Sequence, residues 1–265
     1  MKKIIAALEL KPKDVVIEIG PGHGELTLPI AESCQKIGCQ ILAIEKDTEL
    51  AKNLERKIQN LKLGGVAKVF GGDILKVLAN RTNILPPLWH DIGRRRLSYK
   101  IVGNIPYYIS GHLFRVIGNL KNKPSVCILT VQEEVAERLS AKPPKMNRLA
   151  AIIQFWAEPK IIGRLGEKDF SPVPKVKSAV LKLATKKSAA RATPQSRRHT
   201  IKWQSYESAV KMLFAHPRKT ILNNLRESCL TKERLIESLR EINVSPGARP
   251  QNLDIESITK ISQIL

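Results

Sequence analysis

The sequence predicts an α/β fold, a doubly wound parallel sheet followed by a small all-helical domain, and three observations predict it. Short β-branched runs alternate with helix-patterned segments over the first two-thirds of the 265 residues, as βαβ units require. Those runs are continuously apolar rather than alternating, which suits strands buried on both faces. Beyond residue 203 the apolar spacing is helical throughout.

The first strand is VVIEI at 15–19, a β-branched run that stops at Gly20. Further runs at 41–44, 66–70, 100–103 and 126–131 predict four more strands. Between the second and third, residues 48–61 place Leu50, Ala51, Leu54, Ile58 and Leu61 on one helical face. Near the end, Thr231 can cap a helix bearing Leu235, Ile236, Leu239 and Ile242. Asp254 can cap a last one bearing Ile255, Ile258, Ile261 and Leu265. Residues 182–202 hold seven basic side chains and no acidic one, among Ser, Ala, Thr and Pro, and read as a basic linker. The expected division is a sheet domain over 1–184, a linker over 185–202 and a helical domain over 203–265.

Composition narrows the function. Apolar residues make up 43% and charged residues 26%, which is ordinary for a globular chain. The 45 Lys and Arg against 24 Asp and Glu give a net charge of +21, which calls for a polyanionic partner. Residues 1–181 carry +12, 182–202 carry +7 and 203–265 only +2, so the excess sits on the sheet domain and linker. No stretch is long and apolar enough to span a bilayer, no basic amphipathic helix suggests a membrane surface, and Met1 to Glu9 lacks the apolar run of a secretory signal. Cys34, Cys39, Cys127 and Cys229 form no CxxC pair and read as reduced thiols of a cytoplasmic protein. The five scattered histidines argue against a metal site. No exposed apolar helix face demands a partner, so a monomer is expected.

Four segments carry the chemistry. Glu18-Ile19-Gly20-Pro21-Gly22-His23-Gly24 closes the first strand, and its glycines let the backbone approach a ligand at a helix N-terminus. The dinucleotide fingerprint G-x-G-x-x-G is not met, because the third glycine falls one residue early. E-x-G-x-G-x-G suits S-adenosylmethionine better, since this cofactor has no pyrophosphate to cradle. Glu45, ending the second strand, can accept both ribose hydroxyls of an adenosine moiety. Asp73, followed by Ile74 after the third strand, can accept a hydrogen bond from the adenine amino group. After the fourth strand comes Gly103-Asn104-Ile105-Pro106-Tyr107-Tyr108. N-x-P-Y suits transfer to a conjugated amino group, whose lone pair is a poor nucleophile. The Asn104 side-chain oxygen and the Ile105 carbonyl can take both amine protons and aim the lone pair. Pro106 fixes the turn, and Tyr107 can stack on a base extruded from its surroundings.

At these residues the chain resembles the ribosomal RNA adenine N6-dimethyltransferases, in their small-subunit (KsgA-type) branch. The resemblance runs from residue 4 onward. It takes in 17–27 (IEIGPGHGELT), 43–47 (AIEKD), Gly72-Asp73, 102–110 (VGNIPYYIS) and 131–141 (VQEEVAERLSA). It continues through 170–183 (FSPVPKVKSAVLKL), 214–225 (FAHPRKTILNNL) and 246–258 (PGARPQNLDIESI). It implies a Rossmann-like class I S-adenosylmethionine-dependent methyltransferase sheet with a helical C-terminal domain that helps dock on ribosomal RNA. It implies S-adenosylmethionine as donor, no metal, and the small ribosomal subunit and its RNA as partner. It assigns Gly20, Glu45, Asp73 and Asn104 to the donor, and Tyr107 and Phe170 to the two faces of the flipped adenine.

Two departures stand out. The family's short N-terminal arm, with a Gln-Asn/His-Phe-Leu motif, is missing, because Met1 falls inside what is expected to be the next helix. The stretch 80–99 is longer than usual and carries Arg94, Arg95 and Arg96, either an added RNA-contacting loop or a solvated insertion. Two other readings stay open: a large-subunit RNA adenine methyltransferase of the antibiotic-resistance type, and a non-catalytic RNA-binding ribosome-assembly factor.

Overall fold

Every run predicted as a strand is one. A computed structural model describes residues 1–79, 98–120, 122–166, 176–186 and 203–265; for Ala79 and Tyr107 it describes the backbone alone. The chain opens with α1 (Lys2–Leu8), β1 (Val15–Ile19), α2 (Thr27–Ile37), β2 (Gln40–Glu45), α3 (Thr48–Asn60), β3 (Ala67–Gly71) and α4 (Ile74–Ala79). It continues through β4 (Tyr99–Asn104), a 3-10 turn (Tyr107–Ile109), α5 (Ser110–Asn119), β5 (Val126–Gln132), α6 (Glu133–Ser140), α7 (Arg148–Trp156), β6 (Ala157–Leu165) and β7 (Ser178–Thr185). It closes with α8 (Trp203–Leu213), α9 (Ile221–Asn224), α10 (Lys232–Glu241) and α11 (Ile255–Ile264).

The seven strands form one sheet in the order β3-β2-β1-β4-β5-β7-β6. The first five are parallel, and β7 runs antiparallel to β5, pairing Val126 with Ala184 and Gln132 with Ser178. The sheet is therefore mixed rather than wholly parallel. β6 and β7 extend it beyond the five predicted strands. On one face α1, α2 and α3 press Leu8, Ile30, Cys34, Leu54 and Ile58 onto Val16, Ala43, Val102, Ile128 and Val180. The alternate residues Ile17, Ile44, Ile101 and Leu129 are buried as well, so both faces are covered.

The chain divides into two compact units: Met1–Ala136 with Glu158–Thr185, and Glu137–Ala157 with Lys186–Leu265. The sequence division at 184 had assigned 137–157 to the sheet domain. Those residues group with the C-terminal helices because α7 is apolar on almost every side. Its Ala150, Ala151 and Ile152 share a core with Tyr206, Val210, Leu239, Ile258 and Ile261. The helix caps fall where the sequence put them: Thr231 accepts from the Arg234 N–H and Asp254 from the Ser257 N–H. Of the basic stretch 182–202, residues 187–202 lie outside the described residues, as do 80–97 with the three arginines.

The reduced-thiol reading needs correction at one pair. Cys34, in the last turn of α2, and Cys39, just before β2, form a disulfide with their Cα atoms 4.4 Å apart. The pair is a local one. Gly38 turns the chain back at φ +85°, and both the Gly38 and Cys39 N–H groups bond to the Cys34 carbonyl. Cys127 and Cys229 are free, the first buried and the second exposed. Among the described residues no helix is long and apolar enough to cross a membrane. Among the same residues no group of His, Cys, Asp and Glu could hold a metal ion.

Candidate active site

Parallel pairing brings four predicted segments to one level. Ile19 is in register with both Ile44 and Gly103, and Glu45 with Gly71. Gly20, Glu45, Gly72-Asp73 and Asn104 therefore leave neighbouring strands together at their carboxyl ends. The strand order reverses between β1 and β4, the switch point where open α/β sheets bind ligands.

The glycine loop needs its glycines for two different reasons. At Gly24 the backbone has φ +88°, and a Cβ would lie 2.4 Å from Leu54 Cδ1 of α3, so glycine there lets the loop pack. At Gly22 φ is +55° and no atom lies within 4 Å of where a Cβ would stand, so the loop faces open space in which a ligand can lie. α2 begins just beyond, at Thr27, and no side chain caps its N-terminus.

Glu45 ties this loop to β2. One carboxylate oxygen accepts from the Gly22 N–H at 3.0 Å and the other from the Asp47 N–H at 3.0 Å. The carboxylate is 8% exposed and held from both sides, and each oxygen keeps a lone pair for a ligand hydroxyl. Asp73 Oδ1 accepts from the Leu75 N–H at 2.9 Å, while Oδ2 lies 3.8 Å from Lys46 Nζ. Ile74 opens α4 with its side chain buried, which leaves its backbone N–H as the group it can present.

Glu18 is the unusual member. Its side chain is 2% exposed and its Oε2 is buried without a hydrogen-bond partner. Burial pushes its carboxyl up to about 7. Proximity of the Thr27 hydroxyl eases that shift, and the neighbouring Glu45 charge adds to it. Thr27 Oγ1 is itself buried without a hydrogen-bond partner. A half-satisfied buried pair beside an open glycine loop fits a cationic ligand better than an anionic one.

Asn104 ends β4 with its side chain exposed, in register with Thr130 of β5. The next turn is fixed from beneath: the Ile105 N–H donates to the Thr130 carbonyl at 3.0 Å and the Ile105 side chain is buried. Pro106 is exposed at φ −55° and its carbonyl accepts from the Ile109 N–H at 3.1 Å. Residues 1–265, the whole chain, match the ribosomal RNA adenine dimethylase family.

The chain belongs to that family.

It is 32% identical over 270 residues to ribosomal RNA small subunit methyltransferase A of Moorella thermoacetica, a match covering 100% of this chain and 87% of that one. The enzyme of the same name from Dehalococcoides mccartyi is 29% identical over 262 residues, covering 98% and 82%. A dimethyladenosine transferase from Plasmodium falciparum has the same fold, with a TM-score of 0.78 at 21% identity over 98% of this chain and 92% of that one.

Of the residues singled out in the sequence of this dimethylase, Glu18, Gly20, Gly22, Gly24, Glu45, Asp73, Ile74, Asn104, Ile105 and Pro106 lie at or just beyond the carboxyl ends of the four neighbouring strands β3, β2, β1 and β4. Phe170 and the Tyr107 side chain lie outside the described residues. Sequence reasoning passed over Thr27, Lys46 and Thr130. Each acts through a neighbour in space, and only the spacing from Glu45 to Lys46 is local enough to have signalled anything.

Proposed function

We propose that this protein transfers methyl groups from S-adenosylmethionine to N6 of adenines in small-subunit ribosomal RNA. The product is N6,N6-dimethyladenosine, made during ribosome biogenesis. The observation that carries the reading is the position of Asn104-Ile105-Pro106 at the end of β4, level with the glycine loop and its two carboxylates. The consistent naming of full-length relatives as small-subunit methyltransferases supports the choice of substrate.

The residues present suit such a donor. Glu45 would take the ribose hydroxyls, Asp73 and the Ile74 N–H the adenine edge, and the open loop at Gly20 to Gly24 the amino-acid portion. Glu18, buried and short of one partner, would compensate positive charge. The donor supplies an electrophilic methyl group on a sulfonium, a good leaving group that needs no metal to activate it.

The chain's own work is then orientation. Asn104 Oδ1 and the Ile105 carbonyl accept the two N6 protons and turn the lone pair toward the methyl group. Tyr107 and Phe170 would hold the extruded base from its two faces. The N6 proton leaves after the carbon–nitrogen bond forms, so no strong general base is required. Catalysis of this kind rests on positioning and polarisation. The reaction runs twice on each base. The basic surface supplies affinity for the RNA, with the salt dependence that phosphate contacts bring. We read the protein as a monomer acting on small subunits in the cytoplasm.

The test is methyl transfer from labelled S-adenosylmethionine to unmethylated small subunits, with naked large-subunit RNA alongside and nucleosides analysed afterwards. Dimethyladenosine in the small subunit alone is expected. Methylation of large-subunit RNA would favour the antibiotic-resistance type. RNA binding without donor binding would mark a non-catalytic assembly factor.

A further inference from the structure

We propose that Tyr108 is a stacking platform for the nucleotide next to the adenine being methylated, and that His112 and Arg115 guide the same RNA strand along α5. The proposal rests on the adenine-methylating reading of the neighbouring Asn104 turn.

Tyr108 is 83% exposed, more than any other large hydrophobic side chain among the described residues. A single exposed aromatic is ordinary on a protein surface. This one stands on an unusually firm base. Before α5 settles into the core, the Ile105 N–H is bonded to the Thr130 carbonyl and the Ile109 N–H to the Pro106 carbonyl. Immediately after it, α5 buries Leu113, Phe114 and Ile117. A ring so exposed adds little to folding, yet its backbone is held on both sides. A rigid two-torsion aromatic of this kind presents contact area at small entropic cost.

The exposed face of α5 continues from it. His112 and Arg115, three residues apart on α5, are both exposed on the face opposite the buried Leu113 and Phe114, and Tyr108 stands in the 3-10 turn that leads directly into that helix. Between them, Gly111 has no atom within 4 Å of where a Cβ would be, so nothing crowds the path. At about 2 Å of rise per residue in the 3-10 turn and about 1.5 Å in α5, Tyr108 and Arg115 lie roughly 11 Å apart along the chain direction, the scale of one nucleotide and its phosphate. Ring first and cation second is the order that a single strand leaving the active site would meet.

The chemistry of the reaction makes a stacking partner useful there. An adenine taken out of its stack leaves its neighbour with one bare face, and an aromatic ring recovers part of that loss whatever the base. An exposed Arg115 on this face, in a chain of net charge +21, makes a polyanion the fitting occupant.

The experiment compares Tyr108→Phe, Tyr108→Leu, Tyr108→Ala and Arg115→Ala with wild type. Three quantities are read: affinity for unmethylated small subunits, KM and kcat for their methylation, and affinity for S-adenosylmethionine. Leu and Ala at 108 should raise KM and weaken subunit binding about tenfold, while Phe stays within about twofold, since the ring and not the hydroxyl is used. Arg115→Ala should lower the slope of log affinity against log salt by about 0.7. Donor affinity should not change, which shows that the Asn104 turn is intact. Equal behaviour of Leu and Phe, or a loss confined to kcat, would overturn the proposal. If subunit binding follows the expected pattern but wild type makes no dimethyladenosine, the platform stands and the assigned reaction falls. If every variant methylates with unchanged KM, the reaction stands and the platform falls.

Discussion

At the amino end of the sheet Asp14 and Lys100 are buried together with Oδ2 and Nζ 2.7 Å apart, whereas at the carboxyl end Glu18 is buried with one oxygen unpartnered. Each member of the first pair has a further partner. Lys100 also donates to the Glu9 carbonyl at 2.6 Å, and the Lys11 N–H donates to Asp14 at 2.8 Å. These contacts fasten the end of α1 beneath β4. At the other end the polar groups are held in place but left with capacity to spare: Glu45 has two backbone partners and free lone pairs, and Asp73 has one oxygen facing an exposed Lys46. One sheet thus closes its charges where it needs stability and leaves them open where it needs a ligand.

The largest effect should come from breaking the closed end. Lys100→Ala leaves the Asp14 carboxylate buried without its cation and should cost about 3–5 kcal/mol of stability, read by denaturant unfolding. The double replacement Lys100→Met with Asp14→Leu should recover most of that loss, because two apolar groups leave no charge behind. A double variant as unstable as the single one would mean that the pair is doing more than satisfying itself.

Next comes the open end. Asn104→Ala should lower turnover about 10²- to 10³-fold and leave melting temperature and RNA affinity nearly unchanged. Equal methyl transfer by variant and wild type would remove Asn104 from the reaction.

Glu18 sharpens the contrast through pH. Its folded-state carboxyl sits at about 7, against an ordinary 4.5, so the folded chain keeps a proton that the unfolded chain has lost. The stability linked to it is complete below about 4.5 and is lost as pH rises through about 7, by no more than about 3 kcal/mol. Glu18→Gln should therefore melt like wild type at pH 4 and higher than wild type at pH 8, while binding a cationic donor more weakly. Parallel melting profiles of the two proteins from pH 5 to 9 would show that burial does not control this group.

The smallest effect is expected at Lys46. Its 3.8 Å approach to Asp73 is made by a side chain 75% exposed, so Lys46→Ala should leave the melting temperature unchanged. Donor affinity, measured by titration, should shift less than about threefold. A larger shift would make Lys46 part of the open end rather than its solvated rim.

The class of fold and the places where the singled-out residues stand were legible in the sequence, and the pairing of the later elements was not. Glycine placement, a carboxylate at a strand end and an Asn-x-Pro turn are local signals, and each survives as a position at the sheet's carboxyl edge. The antiparallel β7 was not legible, because SAVLKLAT names a strand without naming its neighbour or its direction. Nor was the allegiance of α7, whose apolar residues fit any core of sufficient size. The Cys34–Cys39 bridge depends on a glycine turn that spacing alone did not announce.

By itself, then, the sequence determined to within one residue where the first four strands would end and which side chains would stand there. Propensity, turn geometry and side-chain functionality act within a few residues of one another. Tertiary structure alone decided that Glu45 would reach across to the Gly22 N–H, that Thr27 would meet Glu18, and that Lys100 would find Asp14 eighty-six positions away. Those outcomes follow from strand register and helix packing, in which the partner is chosen by what the whole core can bury and not by what lies next along the chain.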